Sequence, residues 1–123
     1  MALSGIKKDL LKIWQRVTRC HGVALFVHYS GLRDEVAIKN CPEWACVNVN
    51  GRRDNKIVSF FKPYVDKLLI LQLKEIIDLY DVEGAWIDGD CWAAKLDWSE
   101  EAKEEFKEVT GIEYVPRKPG DDH

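Results

Sequence analysis

The sequence predicts a mixed α/β fold with parallel strands, an expectation carried by three observations. Two short apolar runs, Val23–Ser30 and Val82–Asp88, have the length and the β-branched and aromatic content of buried strands. Three stretches with apolar residues at helical spacing surround them. The order is helix, strand, long loop, helix, strand, loop, helix, a βαβα series with one helix in front. Strands that alternate with helices in this way run parallel, because each return to the sheet needs a crossover.

The first helix is read from Ile6, Leu10, Trp14 and Val17, with Ser4 as N-cap and Gly22 as its stop. Its stripe places Trp14 in the core. The strand that follows is apolar on both alternating faces until His28, Tyr29 and Ser30. Residues 31 to 61 hold Gly31, Pro42 and a polar stretch from Asn48 to Asn55, and read as a long, partly ordered βα connection with a short extended piece at Cys46–Val49. From Pro63 to Tyr80 a second helix carries Val65, Leu68, Leu69, Leu71, Leu73, Ile76 and Ile77, an apolar face wide enough to be covered on more than one side. A third helix starts at Ser99, whose cap is followed by Glu100 and Glu101, and Thr110-Gly111 ends it. Residues 1–115 read as one domain, and 116–123, rich in Pro, Gly and Asp, as a disordered tail.

Composition narrows the function. With 46% hydrophobic residues and five Trp among 123 residues, the chain has material for a packed core. Its net charge of -3 comes from interspersed acidic and basic residues, with no Lys/Arg cluster beyond a pair such as Lys7-Lys8, so nucleic acid is not an expected partner. Cys20, Cys41, Cys46 and Cys91 form no C-x-x-C pair, and His21, His28 and His123 lack metal-ligand spacing to them. Ordinary buried or semi-buried thiols and no metal are expected. No charged leader precedes an apolar core at the start, and no apolar run approaches the roughly 20 residues that span a bilayer, so the expected location is cytoplasmic and away from membranes. Gly31 and Gly89 stand alone after the strands rather than in a phosphate loop, which argues against a nucleotide, and no cofactor is expected.

In parallel α/β folds chemistry gathers at the C-terminal strand ends, where loops vary over a fixed frame. Both strands here end in capable groups: His28 and Tyr29 on the first, Asp88 on the second, with Asp90 and Trp92 just beyond. Alternation puts Trp86 and Asp88 on one face. An indole packs on the apolar face of a pyranose, while a carboxylate stabilises or attacks an oxocarbenium-like carbon, so the pair suits a sugar. Trp44 reads either as a second sugar platform or as a lid over the core. As ordinary structure, Asp88 would cap a neighbouring backbone and His28 would be a hydrogen-bonded rim residue.

The run Ala85-Trp-Ile-Asp-Gly-Asp-Cys-Trp92 resembles the fourth-strand motif of α-L-fucosidase-like glycoside hydrolases, in which a Trp-x-Asp at the strand end carries the nucleophile. Phe26-Val-His-Tyr-Ser30 resembles the preceding barrel strand, Gln72-Leu-Lys-Glu-Ile-Ile the intervening helix, and Asp97-Trp-Ser-Glu-Glu-Ala the start of the next one. The resemblance covers about residues 5 to 115 and implies a partial (β/α)8 TIM-barrel-like βαβα unit, with Asp88 as nucleophile and Trp86 as a sugar-contacting aromatic. His28, Tyr29, Asp90, Trp92 and Trp44 are the remaining candidates for substrate binding. A full barrel has about 250 residues and eight strands, and a retaining hydrolase has a second carboxyl about 5–5.5 Å from the first. Glu43 and Glu83 lie within reach in sequence, and neither is marked as the acid.

Three readings follow: a glycoside hydrolase fragment, a working enzyme completed by association of several copies, and a non-catalytic carbohydrate-binding or oligomerising module. The expected partners are a carbohydrate substrate and either a further copy or the remaining barrel segments.

Overall fold

The structure, a computed structural model, describes residues 8–88 and 95–118. It is mixed α/β. The elements are α1 (Leu10–Cys20), β1 (Phe26–Tyr29), α2 (Glu35–Asn40), a 3-10 turn (Pro42–Trp44), β2 (Ala45–Val47) and β3 (Arg53–Val58). A π-helical turn (Val65–Leu69) then runs into α3 (Ile70–Tyr80), followed by β4 (Gly84–Ile87) and α4 (Glu100–Thr110). β1 and β4 pair in parallel, Phe26 opposite Gly84 and Tyr29 opposite Ile87. β2 and β3 pair antiparallel, with an irregularity between Ala45 and Val47. Among the described residues the strands form these two separate two-stranded sheets.

Side-chain chemistry sets the helix ends. Asp9 caps α1, its carboxylate accepting the Lys12 N–H at 3.1 Å, and Gly22 takes a positive φ of 64° just past its end. The expected cap, Ser4, lies outside the described residues, and the helix itself begins at Leu10. Ser99 caps α4 with Glu100 and Glu101 in the first turn, and Gly111 closes it at φ 70°, as the sequence predicts. Asp97 ties this helix to the antiparallel sheet, accepting the N–H of both Val47 (2.9 Å) and Ser99 (3.0 Å) through Oδ1.

The core sits where the sequence promises only a connection. Leu32, Ala37, Ile38, Ala45, Cys46, Ile57, Val58, Tyr64 and Leu69 form one buried cluster, most of it within residues 31 to 61. The β2–β3 hairpin is built on a turn in which Asn48 Oδ1 accepts the N–H of Asn50 and of Arg52, and Gly51 adopts φ 76°. Asn50-Gly51 is the short-range hairpin signal, masked by the polar run Arg52 to Lys56 around it. That run belongs to an ordered strand because Asp54 holds it: Oδ1 accepts the N–H groups of Lys56 and Ile57 at 2.8 and 2.9 Å, and Oδ2 takes the Lys95 ammonium at 2.6 Å. Although burial opposes its charge, these bonds keep the Asp54 carboxyl below its ordinary value.

Tyr64 is the pin of this core. Fully buried, its hydroxyl donates to Gly31 O at 2.9 Å and lies 3.2 Å from Asp34 Oδ2. Asp34 in turn caps α2 by accepting the Ala37 N–H at 2.7 Å. One phenol therefore joins the start of the long helix to the turn after β1 and to the α2 cap.

Three expectations about burial are corrected. Trp14 is 58% exposed rather than core, and α1 contains no buried residue. Nor is α3 covered on several sides: Leu71, Ile77 and Leu79 stay at least half exposed. β1 and β4 likewise leave Phe26 and Trp86 61% and 67% exposed rather than buried. An apolar stripe in sequence fixes which face avoids water, not whether this chain supplies a cover for it.

Removing the pin and trimming an exposed apolar residue should therefore differ sharply. Tyr64→Phe is expected to lower the unfolding free energy by about 1–3 kcal/mol, since Gly31 O loses a buried donor, whereas Trp14→Ala should change it by about 0.5 kcal/mol or less. Urea unfolding of both variants in dilute solution checks the contrast.

Candidate functional site

Parallel pairing brings the C-terminal ends of β1 and β4 to one edge. His28 stands opposite Trp86 in the register, and their rings meet edge to face with centroids 6.3 Å apart. The ladder continues one residue beyond β4, where the Asp88 N–H donates to Tyr29 O at 2.7 Å. That bond sets the Asp88 carboxylate beside the imidazole, with His28 Nε2 to Asp88 Oδ2 at 3.1 Å. Both side chains are about half exposed, at 59% and 48%, so a ligand in solvent can reach them.

The other side of the cluster is apolar. Phe26 lies against Gly84, where an added Cβ would meet its Cε1 at 2.4 Å. Glycine thus lets the ring lie down on the neighbouring strand. The result is an open face with an aromatic part, Phe26 and Trp86, and a polar part, His28 and Asp88. His28 engages Asp88 through Oδ2. Such a face can stack on a flat apolar ring while a half-held carboxylate approaches a hydroxyl or an electrophilic carbon.

Of the residues singled out from sequence, His28, Trp86 and Asp88 come together. Tyr29 does not: it alternates to the opposite side, packs against the core and donates its hydroxyl to Gln72 Oε1. Burial, reinforced by the nearby Asp34 charge, raises its pKa. Trp44 is a core wall rather than a sugar platform, set edge to face on Tyr64 at 6.0 Å, with its carbonyl accepting the Ser59 N–H at 2.8 Å. Asp90 and Trp92 lie outside the described residues. Glu83 spends its carboxylate on the Leu25 N–H at 2.7 Å, and Glu43 sits exposed on the 3-10 turn.

The acidic partner of His28 is the feature that sequence reasoning misses. It lies 60 residues away, and only the expectation of adjacent parallel strands with polar ends could have located it. Among the described residues no group of three or more His, Cys, Asp or Glu gathers where a metal could be held. Cys20 is exposed, against the expectation of a buried or semi-buried thiol, Cys41 is half-buried and Cys46 buried. Burial, with the Asp97 and Asp54 charges, pushes the Cys46 thiol up to about 12. No helix among the described residues is long and apolar enough to cross a membrane.

Comparison of the chain with protein-family models, with curated proteins and with solved structures returned no match.

Two outcomes follow from this geometry. A hydrogen bond between half-exposed groups contributes little to folding, so His28→Ala and Asp88→Asn are each expected to change unfolding free energy by less than about 1 kcal/mol, measured by urea titration. Thiolate is the reactive form, and a raised pKa keeps Cys46 a thiol at pH 8; iodoacetamide should label Cys20 and spare Cys46 until the chain unfolds, as read by peptide mass mapping.

Proposed function

We propose that the face shared by Trp86, His28 and Asp88 binds carbohydrate, and that the chain is a partial (β/α)8-barrel form of an α-L-fucosidase-like, retaining glycoside hydrolase. The observation that supports this best is the convergence of an exposed indole and a histidine-held carboxylate at the ends of two parallel strands. Active sites of barrel enzymes are assembled at that end of the strands. Asp88 then serves as the nucleophile: one carboxylate oxygen bonds the anomeric carbon as the glycosidic C–O bond breaks and its electron pair leaves with the aglycone oxygen, while His28 holds Oδ2. Trp86 carries the apolar face of the sugar, and Phe26 extends the platform.

A second reading, a non-catalytic carbohydrate-binding module, is favoured by one specific observation. Retention needs a second carboxyl about 5–5.5 Å from the nucleophile, and Glu83, the nearest carboxylate in sequence before Asp88, is already committed to the Leu25 backbone. Hydrolysis on this face therefore depends on a second carboxyl other than that of Glu83.

The reading is tested with a panel of aryl glycosides that includes the α-L-fucoside and a β-galactoside. Binding of at least one glycone, followed by indole fluorescence, is expected, with a loss of about tenfold or more in Trp86→Ala. Turnover that falls to background in Asp88→Asn identifies the enzyme. Binding without turnover identifies the module, and a folded chain that binds no member of the panel contradicts both.

A further inference from the structure

We infer that the face shared by Phe26, Trp86 and Asp88 takes a carbohydrate chain of at least two rings, the second ring lying on Phe26 and joined to the first across from its anomeric carbon. The inference deepens the carbohydrate reading of this face and rests on it.

The groups form a line. Along β4 and one residue past it, Gly84, Trp86 and Asp88 alternate onto one face, and successive members stand about 6.6 Å apart at the rise of a parallel strand. Phe26 belongs to β1, opposite Gly84 in the register, yet its ring takes the space that a side chain at Gly84 would fill. An added Cβ there would collide with Phe26 Cε1 and Cδ1. The phenyl ring therefore lies over β4, in line with Trp86 and Asp88.

Glycine at position 84 is explained by that ring rather than by the backbone. Gly22 and Gly51 take positive φ values that L side chains avoid, whereas Gly84 lies in a strand outside that region. A glycine inside a strand weakens it and marks a close approach from the neighbouring chain. Here the approach is that of an aromatic ring that remains mostly exposed, as does Trp86 beside it. The chemistry is graded along the line: His28 and Asp88 make a polar end, Nε2 to Oδ2 at 3.1 Å, and Phe26 makes an apolar one.

This order fixes both the size of the ligand and its linkage. A pyranose is about as long as one step of the line, so a single ring on Trp86 with its anomeric carbon at Asp88 leaves Phe26 uncovered. The far side of that ring, at carbon 4, faces Phe26. A neighbouring sugar linked there continues along the line and lays its C–H face on the phenyl ring, as the first does on the indole. A neighbour linked at carbon 2, next to the anomeric carbon, turns aside from Phe26. The ligand class is therefore a linear oligosaccharide linked through carbon 4, bound by an inner residue at Trp86 and by the next residue at Phe26.

The test titrates the full chain, by isothermal calorimetry, with the methyl glycosides of glucose, galactose and fucose, and with the same residues carrying a second glucose on carbon 4 or on carbon 2. For at least one of the three sugars, the ring on carbon 4 is expected to raise affinity about fivefold or more, and the ring on carbon 2 less than about twofold. Phe26→Ala removes the second platform, and Gly84→Ala pushes its ring off the line with a Cβ that only a side chain has to yield to. In each, the ratio of two-ring to one-ring affinity should fall to about one, and Phe26→Tyr should keep the wild-type ratio. Circular dichroism of every variant confirms that it is folded. One-ring glycosides that bind without a gain from the second ring, an equal gain from carbon 2, or a gain that survives in Phe26→Ala would overturn this inference and leave the carbohydrate reading standing. A folded chain that binds none of these glycosides would overturn both.

Discussion

The Tyr64 hydroxyl is the contact on which the rest of the structure depends. It crosses from the start of the long helix to the turn after β1, bonding Gly31 O and lying against Asp34. Desolvation and the Asp34 charge raise its pKa, so it remains a neutral donor throughout the working range. Around it the hairpin β2–β3, the short helix α2 and the π-helical turn close the cluster of buried apolar side chains. α1, α3 and the parallel strands hang from this centre and keep much of their apolar surface in water.

That division explains why the candidate site is open. The parallel pair is tied internally by its ladder, from the Glu83 N–H donating to Leu25 O to the Asp88 N–H donating to Tyr29 O. One of its sides rests on the core through Tyr29. The opposite side, with Phe26, His28, Trp86 and Asp88, stays about half exposed or more. In a closed barrel such a face points inward and is filled by neighbouring strands. Here it remains available to a ligand.

Local chemistry made much of this legible in sequence. Ser99 with its two glutamates, Gly111 and Gly22 act through neighbours a few residues away, and the runs at 23–30 and 82–88 hold the strands their pattern predicts, though not the burial. Trp86 and Asp88 could be assigned to one face by alternation alone. What stayed hidden depends on distant partners. The hairpin was obscured because Asp54 and Lys95, 41 residues apart, make a polar strand worth ordering. Trp14, expected in the core, is exposed, since a stripe on a helix does not say what covers it, and Trp44, left open between a sugar platform and a lid, packs on Tyr64. The bond between His28 and Asp88 required knowing that the two strands are neighbours.

The most direct test of the account is nuclear magnetic resonance of the chain titrated with a cationic iminosugar, whose ammonium mimics the charge that develops at the anomeric carbon. The account predicts saturable shifts of the Trp86 indole N–H and the His28 ring signals, abolished in Asp88→Asn because the counter-charge is gone. Unmoved Trp86 and His28 signals at millimolar ligand would contradict it.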